Sequence, residues 1–279
     1  MTVAQTQTQT QARPVASSSL RPAYAAVRVR LGLVLTLFAL AAAGWWWTAE
    51  QMQRMDDGPW TALGSFGWFL SVWVVMMAAM MFPSIAPTVA LYARMTRQRS
   101  PMSPVAFTAG YLLTWSAAGV AAFVLAAGAT RWAGSALAWG HGGHALAGAT
   151  LLGAAAYELS PLKAVCLGKC RSPLGFLLGS WREGPMGGLR IGTKNGLWCL
   201  GCCWALMASL FAVGVMNITW MAIIAGFIGV EKALPWRRSA TYGIAVVLLA
   251  LGMFLLVAPD AVPWLGVPSG RSMQGMPPG

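Results

Sequence analysis

Charge is scarce in this 279-residue chain: Asp, Glu, Lys and Arg together make up 9% of it, and only seven residues are acidic. So few charges cannot solvate the surface of a soluble domain of that length, and with a hydrophobic fraction of 57% a disordered chain is excluded as well. Histidine is rarer still, with two residues, and no acidic pair or His cluster inside the apolar runs points to Mg²⁺, Ca²⁺ or Mn²⁺. Neither a phosphate-binding GxxxxGK[ST] loop nor a phosphorylation motif such as DKTG occurs, so a nucleotide-driven pump has no basis here, and no enzyme is expected.

What is present is a series of uncharged runs about as long as a bilayer is thick. Hydropathy predicts an all-α polytopic transmembrane helix bundle of about seven spans, at 31–47, 68–92, 105–128, 144–160, 196–213, 218–234 and 240–258. The cations alternate between the segments joining them. Sixteen of the nineteen Lys and Arg residues fall in the N-terminal tail, in 94–99, in 163–194 and in 232–238, leaving only Arg54, Arg131 and Arg271 elsewhere. The net charge of +12 is thereby accounted for by cytoplasmic loops rather than by nucleic acid. That pattern places the N-terminus in the cytoplasm, the C-terminus outside, and the chain in a bacterial inner membrane with the lipid bilayer as its first partner. Residues 1–28 read as a disordered basic tail, 29–260 as the transmembrane domain, and 261–279 as a disordered tail. The stretch RVRLGLVLTLFALAAAGWWW also has the layout of a signal peptide, although Trp45, Trp46 and Trp47 suit an interfacial anchor better. Spans five and six must turn tightly near GVMN, 214–217, where a re-entrant pair is the alternative to two full crossings.

Five cysteines gather toward the cytoplasmic face. In GLWCLGCCWALM, Cys199, Cys202, Cys203 and Met207 share one helical stripe less than half the circumference wide. In SPLKAVCLGKCRSP, Ser160 can cap, Pro161 suits the first helical position and Pro173 ends the segment, which predicts a short interfacial helix with Cys166 and Cys170 on one face. Thiols in a reducing compartment remain available to metals. The second span adds Met76 and Met80, and Met77 and Met81, as pairs four apart, just before Pro83 and Pro87, which should kink the helix or free carbonyls. Thiolate and thioether together are the soft ligand set that suits Cu(I), and no organic cofactor is evident. Taken alone, each feature has a plainer reading: Met pairs pack flexibly, and Cys is a good small core residue. His141, His144, Met52, Met55, Met273 and Met276 are weaker ligand candidates on the outer side. Glu158, at the inner end of the fourth span, calls for a partner, with Lys163 or Lys194 in reach.

The combination MMAAMMFPSIAP, YELSPLKAVCLGKCRSPLGF and GLWCLGCCWALMASLFAVGVMNITWMA, continuing to Glu231 and Lys232, resembles a bacterial family described as predicted metal-binding integral membrane proteins of unknown function. The resemblance covers about residues 70 to 235. The family commonly carries Gln where this chain has Glu158, and Tyr where it has Trp198. The expected function is binding of a soft metal, foremost Cu(I), by Cys166, Cys170, Cys199, Cys202 and Cys203, with Met76, Met77, Met80, Met81 and Met207 continuing the path for transport or delivery. A metal chaperone or a membrane complex would be its protein partner. Two other classes fit the same sequence: a membrane thiol-disulfide oxidoreductase using Cys199 and Cys202, and a structural or assembly subunit packing through small-residue spans such as HALAGATLLGAAA.

Overall fold

The computed structural model describes residues 20–52, 65–97, 100–133, 143–213, 218–233 and 237–258. Residues 1–19 and 261–279, the hairpin at 214–217, His141, Met55, Met273 and Met276 lie outside the described residues, as does the side chain of Met52, whereas residues 20–28, expected in the disordered tail, begin the first helix. The described residues are all-helical, without strands. The helices are α1 (Leu20–Met52), α2 (Phe66–Thr96), α3 (Ser103–Ala133), α4 (His144–Glu158), α5 (Pro161–Cys170), α6 (Pro173–Gly179), α7 (Gly184–Val213), α8 (Ile218–Ala233) and α9 (Arg237–Val257).

Four of these contain stretches long and apolar enough to cross a membrane: Leu31–Gln51, Phe66–Thr96, Ser103–Ala129 and Arg238–Val257. Their outward faces expose Leu35, Val124, Leu125, Val246 and Leu249, surface that water would not favour and hydrocarbon would. The remaining three expected spans look different. α4 and α8 have 15 and 16 residues. At about 1.5 Å per residue each is several ångströms short of a hydrocarbon core of about 30 Å. α7 has 30 residues, but Arg190 and Lys194 confine its apolar part to the second half.

Helix ends follow local chemistry. Ser65 caps α2 by accepting from the Trp68 N–H, and Ser160 caps α5 by accepting from the Lys163 N–H at 3.2 Å, with Pro161 in the first turn as expected. α5 ends at Cys170, three residues before Pro173, and Pro173 opens α6, a helix the hydropathy pattern did not suggest. α7 begins at Gly184, twelve residues before the apolar run, where a positive φ of 76° turns the chain back. α2 continues through Pro83 and Pro87, and the Ser84 hydroxyl donates to the Met81 carbonyl within that stretch.

The tightest packing is between α3 and α7. Gly188, Gly192 and Gly196 repeat every four residues along α7, and a β-carbon at Gly192 would run into the Phe107 carbonyl of α3. Backbones that approach this closely need the small-residue stripe. Thr114 Oγ1 donates to the Thr193 carbonyl at 3.2 Å, and Thr193 Oγ1 to the Gly110 carbonyl at 3.3 Å. α1 lies along α2, with Gly44 against Ala79, and α4 meets α9 at Gly148 and Gly252. The effect of these contacts is to bring Tyr111 of α3, the methionines of α2 and the cysteines of α7 into one core.

Candidate metal centre

The three cysteines of CLGCC occupy one buried face of α7, and their Sγ atoms all lie within 4.8 Å of one another. Helical spacing alone produces most of this proximity, since positions i, i+3 and i+4 share a face. Cys202 Sγ donates to the Cys199 carbonyl at 3.1 Å, and Cys203 Sγ does so at 2.9 Å, so both thiols are held near the same turn.

A fourth sulfur comes from α5. Cys170 Sγ lies 3.8 Å from Cys202 Sγ, which joins the two cysteine groups that sequence separates by some thirty residues. Cys166 is buried one turn earlier on α5 and packs over Gly201, where a β-carbon would come 2.9 Å from its sulfur. Gly201 therefore leaves α5 room to lie against the thiol-bearing face of α7. Outside the spans, hydrogen bonding with Cys199 and Cys202 together with burial pushes the Cys170 thiol well above its ordinary value, and burial raises that of Cys166. A metal that takes either sulfur as a thiolate must displace its proton.

The methionines frame the cluster. Met76, Met77, Met80 and Met81 are all buried on α2, and Met81 Sδ lies 3.9 Å from Lys232 Nζ, which itself lies 3.0 Å from Cys199 Sγ. Met207, one turn beyond Cys203, is buried and lines an apolar pocket of about 560 Å³ between α2, α3, α4 and α7, together with Trp73, Trp115 and Trp204. His144 opens α4.

Three residues to which the sequence reading gave no part in the site belong to this region. Tyr111 brings its hydroxyl to 2.9 Å from Cys199 Sγ. Lys232, read from sequence as a loop cation at the end of the family motif, reaches into the cluster. Glu231 completes a buried charge group: Lys163 Nζ donates to Glu158 and, at 2.8 and 2.9 Å, to both oxygens of Glu231. Of the two partners expected for Glu158, Lys163 is the one found, while Lys194 donates to Ser180 instead. Glu231 is further held by Thr241 Oγ1 at 3.3 Å, and Arg171 donates to its backbone carbonyl at 2.8 Å. The signal for Glu231 was its rarity: it is one of only seven acidic residues, placed at the end of an apolar run.

Thiols and thioethers from three helices, with no carboxylate among the clustered sulfurs of the described residues, form a donor set suited to a soft metal ion. The arrangement can supply two or three sulfurs to one ion by rotamer changes alone. A family model described as PpoB2, copper chaperone, matches residues 70–255. No curated protein and no solved structure matches the chain significantly.

Proposed function

The chain belongs to the PpoB2 copper chaperone family, and on that premise we propose that it binds Cu(I) as cargo at the cytoplasmic side of a membrane and hands it on. The observation that carries this reading is the sulfur cluster: Cys199, Cys202 and Cys203 within 4.8 Å of one another, with Cys170 at 3.8 Å from Cys202. Cys166 and Met81 stand beside these four, and Met76, Met77, Met80 and Met207 extend the sulfur-rich core along α2 and α7. Thioethers bind Cu(I) more weakly than thiolates, which suits them to exchange rather than retention. The proposal includes a seven-span, inner-membrane topology with a cytoplasmic N-terminus, supported by the sixteen-to-three division of cations. It also includes a non-enzymatic role, since the cluster needs only to capture and release an ion.

The test is direct. Purified, reduced protein should hold Cu(I) against a chromophoric chelator, and replacing Cys199, Cys202 and Cys203 together by Ser should abolish high-affinity binding. The Met76 and Met80 double variant should slow transfer to an acceptor more than it weakens binding. A triple variant that keeps its copper and loses only thiol-linked electron transfer would favour the oxidoreductase reading instead.

A further inference from the structure

Cys199 differs from its neighbours in what reaches its sulfur. Cys202 and Cys203 direct their thiols to the Cys199 carbonyl, whereas Cys199 Sγ meets Tyr111 Oη at 2.9 Å and Lys232 Nζ at 3.0 Å. The same ammonium lies 3.4 Å from Ser84 Oγ and 3.9 Å from Met81 Sδ. Glu231, its neighbour in the chain, is turned the other way and is held by Lys163, with Arg171 on its backbone carbonyl. The end of α8 is thereby pinned at Glu231, and Lys232 is aimed at sulfur rather than at a carboxylate.

We infer that Lys232 is the counter-cation of the metal-loaded cluster, a positioning residue that sets which ion charge the site accepts. This rests on the Cu(I) reading above. Capture by two thiols follows Cu⁺ + 2 RSH → [Cu(SR)₂]⁻ + 2 H⁺, which leaves one negative charge among buried apolar side chains. An uncompensated charge in such a setting is costly, and one fixed ammonium about 3 Å away restores neutrality. The count is specific to monovalent ions: Cu(I) and Ag(I) give an anionic dithiolate that needs Lys232, while Hg(II) with two thiolates is neutral and does not. A merely structural lysine would not distinguish these ions.

The experiment uses the full chain, reduced and purified in detergent, as wild type, Lys232→Gln and Lys232→Arg. Competition with a chromophoric chelator reads Cu(I), and competition with a small dithiol reads Ag(I) and Hg(II). Lys232→Gln is expected to weaken Cu(I) and Ag(I) roughly 10- to 100-fold, with Lys232→Arg within about 3-fold of wild type and Hg(II) changed less than about 3-fold throughout. Lys232→Leu replaces the Gln variant if the latter does not purify as a helical, monodisperse protein. Unchanged or tighter Cu(I) binding in the uncharged variant, or an equal loss for Hg(II), overturns the inference. A wild-type chain that holds no Cu(I) sinks the copper reading instead, and the Ag(I) to Hg(II) comparison still judges Lys232.

Discussion

Three charged side chains, Glu158, Lys163 and Glu231, are each no more than 2% exposed and share a single ammonium between two carboxylates. Removing the ammonium and removing one carboxylate are therefore unequal changes. Lys163→Met leaves two carboxylates buried without a cation and should cost about 3–5 kcal/mol, the usual cost of breaking a buried pair. Glu158→Gln leaves a one-to-one pair of Lys163 and Glu231 and removes a carboxylate whose Oε1 has no hydrogen-bond partner in the fold. It should stay within about 1 kcal/mol of wild type. Thermal unfolding of the two variants in the same detergent checks the order, and equal losses would show that the two carboxylates share the lysine evenly. Sequence made half of this visible. Glu158 at depth demands a partner and Lys163 lies within reach, but Glu231 is 68 positions away from that lysine, and no local pattern carries such a pairing.

Among the elements, α7 organises the site, and its first half was the least legible. Residues 184–195 contain glycine, proline and charge, which read as a loop, yet they form two turns or more of helix because Gly188 and Gly192 let α3 approach. Local propensity disfavours a helix there and tertiary packing overrides it. The spacing of glycines every fourth residue was the available signal. A side chain at Gly192 would meet the α3 backbone, and Gly192→Leu should therefore separate α3 from α7 and draw Tyr111 away from Cys199. The expected outcome is a loss of about 1–3 kcal/mol or more in stability, together with reduced copper content in whatever protein remains folded. Normal stability and normal copper in that variant would mean the two helices part without disturbing the cluster. By contrast, α5 was legible almost to the residue, because its cap, its first-turn proline and the proline that follows it are all local features. The proximity of Cys170 to Cys202 could be expected only as a geometric requirement of a shared site; its realisation depends on α6 and the turn before Gly184.

For the whole molecule, topology is the property that most needs measurement. The division of cations leads us to expect that reporter fusions after residues 99 and 190 are cytoplasmic and that fusions after 57 and 270 are external. A cytoplasmic reporter at 270 would remove the odd number of crossings, and the short helices α4 and α8 would then be the first to reconsider. The cross-link from Lys163 to Glu231 also bears on the order in which the protein is made. Lys163 leaves the ribosome 68 residues ahead of its partner, a delay of about 3–14 s at roughly 5–20 residues per second. All five cysteines are synthesised within that interval, the last of them, Cys203, 28 residues before Glu231, so over its final part the sulfurs are present while the helix end that carries Glu231 and Lys232 is not. The nascent chain thus has its cysteines before it has the residues that anchor α5 and approach Cys199, and the complete arrangement around the sulfurs is a late product of translation.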